Sequence, residues 1–392
     1  MKPTGQHSDL TYFSEQSLLE SACKQTGLTD FGDDHFRIGL KVLLESYEHA
    51  DLHILGRTVL RGELIRLLSN RLRIQEDLKR HPEIVQASIH RPLFIVGLAR
   101  TGTTLLFHLL AQDSVARVPF LWELLWPSPP PSSKSTEPDP RIEMAQQRLK
   151  LLYEIAPQMR TVHFTTATSP EECLYLFQNG FAAIDFGVLV PAPRYVEWFL
   201  SHDMLAEYRY YLKQLQILQW RRPGGEYWIL KSPHHLFALD ALLTVFPDAC
   251  IIQTHRDPQK VIASNCSLIV NMRKLYSNDV SLKTVGEIAV SVSQTAIERA
   301  MQSRFTANAS QFYDVQYVDL IVDPIGVAKA IYKYFGYTWI PAIEKRMKVW
   351  LENNPQHKHG VHDYSMEPFG LKKEEVNERF ARYHTQFNIK PE

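Results

Sequence analysis

Charge of one sign, paired cysteines and long apolar runs are all missing from this sequence. Its 392 residues carry 43 Lys and Arg against 43 Asp and Glu, a formal net charge of zero. A bulk nucleic-acid binder or a polybasic membrane-surface protein needs an excess of positive charge, so both classes are argued against. A local anion site is not, because the total says nothing about where the charges sit. No apolar run reaches the roughly 18 residues that a spanning helix needs. Met1 to Phe13 lacks a basic stretch followed by an apolar one, which argues against a secretory leader. The four cysteines, Cys23, Cys173, Cys250 and Cys266, are scattered, with no CxxC pair to suggest zinc or a dithiol. They read as reduced, mostly buried thiols of a cytoplasmic protein.

What is present is enough chain for a large core. Residues 14–88 read as helical: Leu60, Leu64, Leu67, Leu68 and Leu72 recur at helical spacing with Arg and Glu between them. Pro82 and Pro92 bracket the end of this region, so residues 1–90 are expected to form an N-terminal helical extension and 91–392 the main domain. Leu93 to Val96, Tyr227 to Leu230, Cys250 to Thr254 and Phe312 to Val318 read as strands. Helices are expected from about 259 to 274 and from Ile325 to Phe335, the latter stopped at Gly336. The segment 127–140, with six prolines and four serines, is a loop, either a connector or a lid. Residues 141–220 read as a helical insertion rich in aromatics. Strands alternating with helices imply an α/β fold around a mostly parallel central sheet.

In such sheets ligands bind beyond the carboxyl ends of the strands, and three chemistry-bearing segments stand there. The first is Gly97-Leu98-Ala99-Arg100-Thr101-Gly102-Thr103-Thr104, a GxxxxGxT turn between a strand and a helix. Main-chain N–H groups at a helix N-terminus cradle phosphate oxygens, and glycine lets the backbone come close. A nucleotide-hydrolysing phosphate loop carries Lys where Thr103 stands. Here the cation is Arg100, inside the loop, which suits an anion held without an obligatory metal. The second segment is Arg256, directly after a buried strand, with Ser264 about two helical turns further on. A guanidinium fork and a hydroxyl suit a second phosphate. The third is Lys231-Ser232-Pro233-His234-His235.

The stretches RPLFIVGLARTGTTLL, YWILKSPHH, IIQTHRDPQKVIAS and YVDLIVDPIGVAKAIYKYFG, in that order, resemble the PAPS-dependent sulfotransferase family. They most resemble its bacterial-type branch with an Arg-Ser/Thr-Gly-Thr-Thr loop. The likeness runs from about residue 90 to 385 and includes HDYSMEPFGLKKEEVNERFARY. It implies a P-loop-like three-layer fold and the donor 3′-phosphoadenosine 5′-phosphosulfate (PAPS). On this resemblance Arg100, Thr101, Gly102, Thr103 and Thr104 hold the 5′-phosphosulfate, and Arg256 and Ser264 hold the 3′-phosphate. No metal is implied. The sequence departs from the best-known cytosolic pattern, where Lys occupies the place of Arg100; an Arg acts there by charge, not by donating a proton. A Gly-rich C-terminal phosphate loop is not evident, and His357-Lys358-His359-Gly360 stand in that region.

Sulfuryl transfer moves SO₃ in line from a phosphate to an acceptor oxygen. Charge grows on the bridging oxygen, where Arg100, the loop amides and Lys231 are the candidate stabilisers. For the acceptor hydroxyl, His235, Glu172, His234, His108 or no side-chain base at all remain open. Glu171 and Glu172 are expected to begin a helix, where they would also favour its dipole. The acceptor is a small-molecule, lipid or sugar hydroxyl. The aromatics between 153 and 220 supply either an acceptor pocket or helix core. Val376, Phe380, Tyr383 and Phe387 form an amphipathic stripe for packing or a homodimer contact. On this reading the neutral total reflects basic residues gathered in a cleft and offset elsewhere, for example by Glu374, Glu375 and Glu378.

Overall fold

Short apolar runs become strands because a parallel sheet buries both of its faces. In the computed structural model, which describes residues 12–131, 137–221, 225–355 and 365–389, four of the five strands stand on such runs. They are β1 (Leu93–Val96), β3 (Tyr227–Lys231), β4 (Cys250–His255) and β5 (Phe312–Gln316), joined by the two-residue β2 (Ala116–Arg117). The order is β2-β3-β1-β4-β5 and every pairing is parallel. β2 is too short to leave a pattern in sequence. β5 stops at Gln316, two residues earlier than expected, because Tyr317 opens a helix, Tyr317–Val322.

Four helices position the strand ends and the face packed behind them: α1 (Glu15–Thr26), α2 (Phe36–His49), α3 (Ile54–Arg80) and α4 (Thr103–Leu110). The Ser14 side chain caps α1, and Gly27, at φ 70°, ends it in the left-handed region. The five periodic leucines of α3 are all buried, none more than 6% exposed. At about 2 kcal/mol each as an upper estimate, their burial holds α3 in place far more firmly than helix propensity could. They share one core with Phe177, Tyr211 and Leu230, so the first helices and one face of the sheet pack together. The opposite face, built on Leu93, Ile95, Ile229 and Ile252, is covered by Leu106 and Leu110 of α4 and by Ile331 and Tyr332. The result is helix, sheet, helix.

The expected helix after β4 runs Pro258–Arg273, capped by Asp257 onto the Gln259 N–H. The helix Pro324–Phe335 ends at Gly336, at φ 73°. In the proline-rich loop, Ser128 donates to Asp77 of α3 (2.5 Å) and Arg141 donates to the carbonyls of Trp126 and Pro129. The described part of that loop is thus pinned to neighbouring helices, while residues 132–136 lie outside the described residues. The 141–220 region is helical, as the sequence implies, with its longest helices at Pro140–Ile155 and Leu205–Trp220. Tyr208, Tyr211 and Leu215 are fully buried, so their helical spacing reflects packing. The C-terminal stripe divides between two helices, Lys373–Arg379 and Ala381–Phe387, and buries Val376, Phe380 and Tyr383 within the same chain. His357 to Gly360 lie outside the described residues.

Candidate active site

The carboxyl end of β1 and the start of α4 are tied to the end of β4. Gly97, at φ 151°, leaves no room for a Cβ, which would overlap the Thr254 hydroxyl. Thr101 is fully buried; its hydroxyl donates to the Leu98 carbonyl (2.7 Å) and lies 2.6 Å from the Thr254 hydroxyl. Its side chain therefore fastens the loop from inside. Gly102 caps α4 at φ 87°, against Leu320 and Tyr317. Thr103 is buried and Thr104 exposed, in the first turn, whose N–H groups have no acceptor within the helix.

Arg100 is exposed and holds φ 73°, an unusual backbone state for an arginine. Its Nε donates to the Ser264 hydroxyl (3.0 Å), and its carbonyl accepts from Nη1 of Arg256 (2.9 Å). The Arg256 guanidinium lies 3.8 Å from the centre of the Tyr317 ring. Residues 100, 256 and 264, distant in sequence, thus form one group with two guanidinium ions and a hydroxyl. A ring beneath a guanidinium fixes its plane.

Beneath Arg256, His255 is buried and bonded on both nitrogens, Nδ1 to the Tyr383 hydroxyl (3.0 Å) and Nε2 to Asp314 (2.8 Å). Burial lowers its pKa, against the opposing pull of Asp314. The C-terminal helix therefore anchors the strand end that carries Arg256. No sequence motif marks Tyr317 or Tyr383 as a site residue. Their signal, an aromatic at a strand end and one on the last helix, is common to ordinary packing.

The third segment gathers a second group. Lys231 ends β3, level with Ile95 of β1, and is only 1% exposed. Its Nζ lies 2.6 Å from Oε1 of Glu172 and 5.7 Å from the centre of the Phe107 ring. Cys173 reaches the same strand end, its N–H donating to the Lys231 carbonyl (3.1 Å). The expected helix does not begin at Glu171 and Glu172 but at Leu174. The preceding residues are instead held extended: the Glu171 N–H donates to Pro119 O and the Leu121 N–H to Ser169 O. This frees Glu172 from the helix and turns it to Lys231.

Glu171 is buried and pairs with His163 (3.0 Å). Burial alone would raise its pKa, but His163 and then Lys231 outweigh that and hold it below the usual carboxylate range. The same charge raises the pKa of His163. Nothing in the sequence links positions 163 and 171, and His163 belongs to no motif. His108, on α4, stacks on Trp350 with ring centres 5.7 Å apart. Burial and the Lys231 charge push its pKa down to about 4.

The two histidines after Lys231 turn inward. His235 is fully buried, with Nδ1 2.8 Å from the Tyr208 hydroxyl and Nε2 3.1 Å from the Cys173 sulfur. Burial, then the neighbouring His234, hold its pKa well below the ordinary value. His234 lies between Phe177 and Phe199, and burial pushes its pKa to about 3. Both rings are neutral parts of the aromatic core. Burial likewise pushes the Cys173 thiol up to about 12, so it is no nucleophile at neutral pH.

The chain matches the family model described as "Sulfotransferase family" over residues 92–341. It is 25% identical over 299 residues, 74% of each chain, to an omega-hydroxy-beta-dihydromenaquinone-9 sulfotransferase, Stf3, of Mycobacterium bovis and of Mycobacterium tuberculosis. The fold is similar to the crystal structure of sulfotransferase STF1 from Mycobacterium tuberculosis H37Rv, with a TM-score of 0.85 and 34% identity over 95% of this chain and 100% of that one. It is also similar to sulfotransferase STF9 from Mycobacterium avium, with a TM-score of 0.89 and 28% identity over 98% and 99% of the two chains.

Proposed function

This chain belongs to the sulfotransferase family, and on that premise we propose that it moves the sulfuryl group of PAPS to an acceptor hydroxyl by in-line displacement. The observation that carries this reading is the single group formed by Arg100, Ser264 and Arg256 at the strand ends. The donor carries two separate anionic ends, and the residues fit them. The first turn of α4 and Arg100 suit the 5′-phosphosulfate, where Thr103 and Thr104 add donors and Gly102 permits the left-handed turn into the helix. Arg256 and Ser264 suit the 3′-phosphate. When bound, the donor supplies the activated SO₃ group.

Two residues of the chain then act on the transfer, one at each side. Lys231 supplies a positive charge in a water-poor setting, where it stabilises negative charge growing on the leaving oxygen. Glu172 takes the acceptor proton. Its carboxylate keeps 22% of its side chain exposed, and it is already paired with the lysine. His235 offers no such access because both ring nitrogens are engaged in the core. We therefore favour Glu172 over His235 as the base.

The acceptor is a hydroxyl compound. The relative named for omega-hydroxy-beta-dihydromenaquinone-9 makes a lipid alcohol the first class to try. Among the described residues no helix is long and apolar enough to cross a membrane. With four free cysteines, three of them buried, we propose a cytoplasmic location. The test is transfer of radiolabelled sulfate from PAPS to a panel of lipid, phenolic and sugar alcohols. Label should appear on an acceptor with wild-type protein and not with Arg100→Ala. Transfer undiminished by that change rejects the proposed site.

A further inference from the structure

Away from the cleft residues, the described chain holds one group of side chains whose chemistry suits a metal ion. We propose that His35, His202 and Glu207 bind a divalent transition-metal ion, zinc being the representative case, and that the ion clamps α2 onto the helical insertion. His35 precedes α2, His202 follows the helix Pro193–Ser201, and Glu207 lies in the first turn of the helix Leu205–Trp220. Nε2 of His35 and Nε2 of His202 each lie 2.9 Å from the same Glu207 oxygen, Oε1. One ligand atom from each of the three lies within 4.8 Å of the others.

The second oxygen of Glu207 is what points to an ion. The Glu207 side chain is only 5% exposed. Its Oε2 is buried and finds no hydrogen-bond donor among the described residues. Both imidazoles crowd one oxygen while the other is left bare. A buried carboxylate oxygen without a donor is costly. A dication would give that oxygen a partner.

The geometry is close to what an ion requires. Ligand bonds of about 2.0–2.2 Å in a tetrahedral site put ligand atoms roughly 3.3 Å apart, so the 2.9 Å contacts need only a small opening. Each imidazole would bind through the Nε2 lone pair with its proton on Nδ1. The His202 ring is held in place by Trp198, stacked at 4.6 Å. His35 keeps 39% of its side chain exposed, which gives the ion an entry path and a water as fourth ligand. Two imidazoles and one carboxylate favour zinc and its neighbours over calcium or magnesium, which take oxygen ligands.

The site also has something to clamp. Gly39 of α2 leaves no space for a Cβ, which would overlap the Phe181 carbonyl oxygen and meet Trp198 at 2.8 Å. The first helices thus abut the insertion closely at this seam, and an ion joining His35 to His202 and Glu207 would hold the seam shut.

The test uses untagged full-length protein stripped with a chelator. Zinc chloride is added and followed by calorimetry and thermal denaturation, with metal content measured after dialysis. Cobalt provides a spectroscopic check, since tetrahedral binding gives intense visible bands. The proposal expects one zinc per chain, saturable binding by calorimetry, a rise in Tm, and affinity weakened by at least about a hundredfold in His35→Ala and in Glu207→Gln, since a direct ligand should cost more than the roughly ten- to hundredfold of an outer partner. His35 is exposed enough for its variant to fold even if Glu207→Gln does not. Two results would overturn the proposal: no zinc retained and no shift in Tm, or one zinc retained equally by His35→Ala.

Discussion

Nζ of Lys231 lies 2.6 Å from Oε1 of Glu172, joining the end of β3 to a segment that starts no helix. Were Glu172 the base and Lys231 the electrostatic partner, each would lower turnover when changed. Glu172→Gln should reduce kcat by about 10²- to 10⁴-fold. Lys231→Ala should reduce it by about 10²- to 10³-fold. The double variant should fall well short of the product of the two losses, because the residues act as a unit. Steady-state kinetics on the three proteins checks this; strictly multiplicative losses would separate their roles.

His235 sits in the core, between Tyr208 and Cys173. His235→Asn should therefore cost stability, about 1–3 kcal/mol for the partners left unsatisfied, while turnover per folded molecule stays within a few-fold. Denaturant unfolding and active-site titration distinguish the two effects. A loss of several hundredfold in kcat with unchanged stability would restore His235 as the base.

Arg256 and Ser264 are assigned to the 3′-phosphate. Ser264→Ala and Arg256→Ala should weaken binding of 3′,5′-adenosine bisphosphate by about tenfold or more, in line with a lost charge-assisted hydrogen bond. Adenosine 5′-monophosphate should be affected much less. Isothermal titration with both nucleotides gives the answer, and equal losses for the two would place these residues elsewhere on the donor.

The Glu171–His163 pair sets a pH window for stability. The pKa of His163 is raised from 6.5, so its contribution is whole below about 6.5 and disappears as pH climbs through the raised value. The pKa of Glu171 is lowered from 4.5, so its contribution is whole above about 4.5 and disappears as pH falls through the lowered value. The pair is strongest between those limits. With 38% of the His163 side chain exposed, solvent screening keeps the effect modest. Thermal melts across pH should show His163→Gln losing the alkaline decline of the wild type. An unchanged decline would assign it to other groups.

Much of this arrangement is readable in the chain. The four apolar strands, the glycine-bounded turn and the helix stop at Gly336 are local signals, and local sequence decides them. The grouping of Arg100, Arg256 and Ser264 follows from strand ends sharing one edge. The partners of Glu171 and Glu172 are not readable. Whether residue 172 enters a helix depends on Pro119 and Leu121 bonding to the segment from fifty residues away. The histidines mislead for a related reason: His234 and His235 stand beside Lys231 in sequence, but the short helix Pro233–Phe237 turns them into the aromatic core. Thr101 misleads similarly, since a loop hydroxyl looks the same in sequence whether it faces a phosphate or, as here, Thr254.

The zero net charge bears on the central claim, because a neutral chain that binds a multiply anionic nucleotide must gather cations and N–H donors in one place. The most direct measurement is a thermal-shift titration of the wild type and Arg256→Ala with 3′,5′-adenosine bisphosphate, against ATP with magnesium. The bisphosphate should raise the Tm of the wild type steadily with the logarithm of its concentration above Kd, by the equivalent of about 2.7 kcal/mol at a hundred times Kd, far less in the variant, and beyond any effect of ATP. Stabilisation by ATP with magnesium, and none by the bisphosphate, would contradict the account.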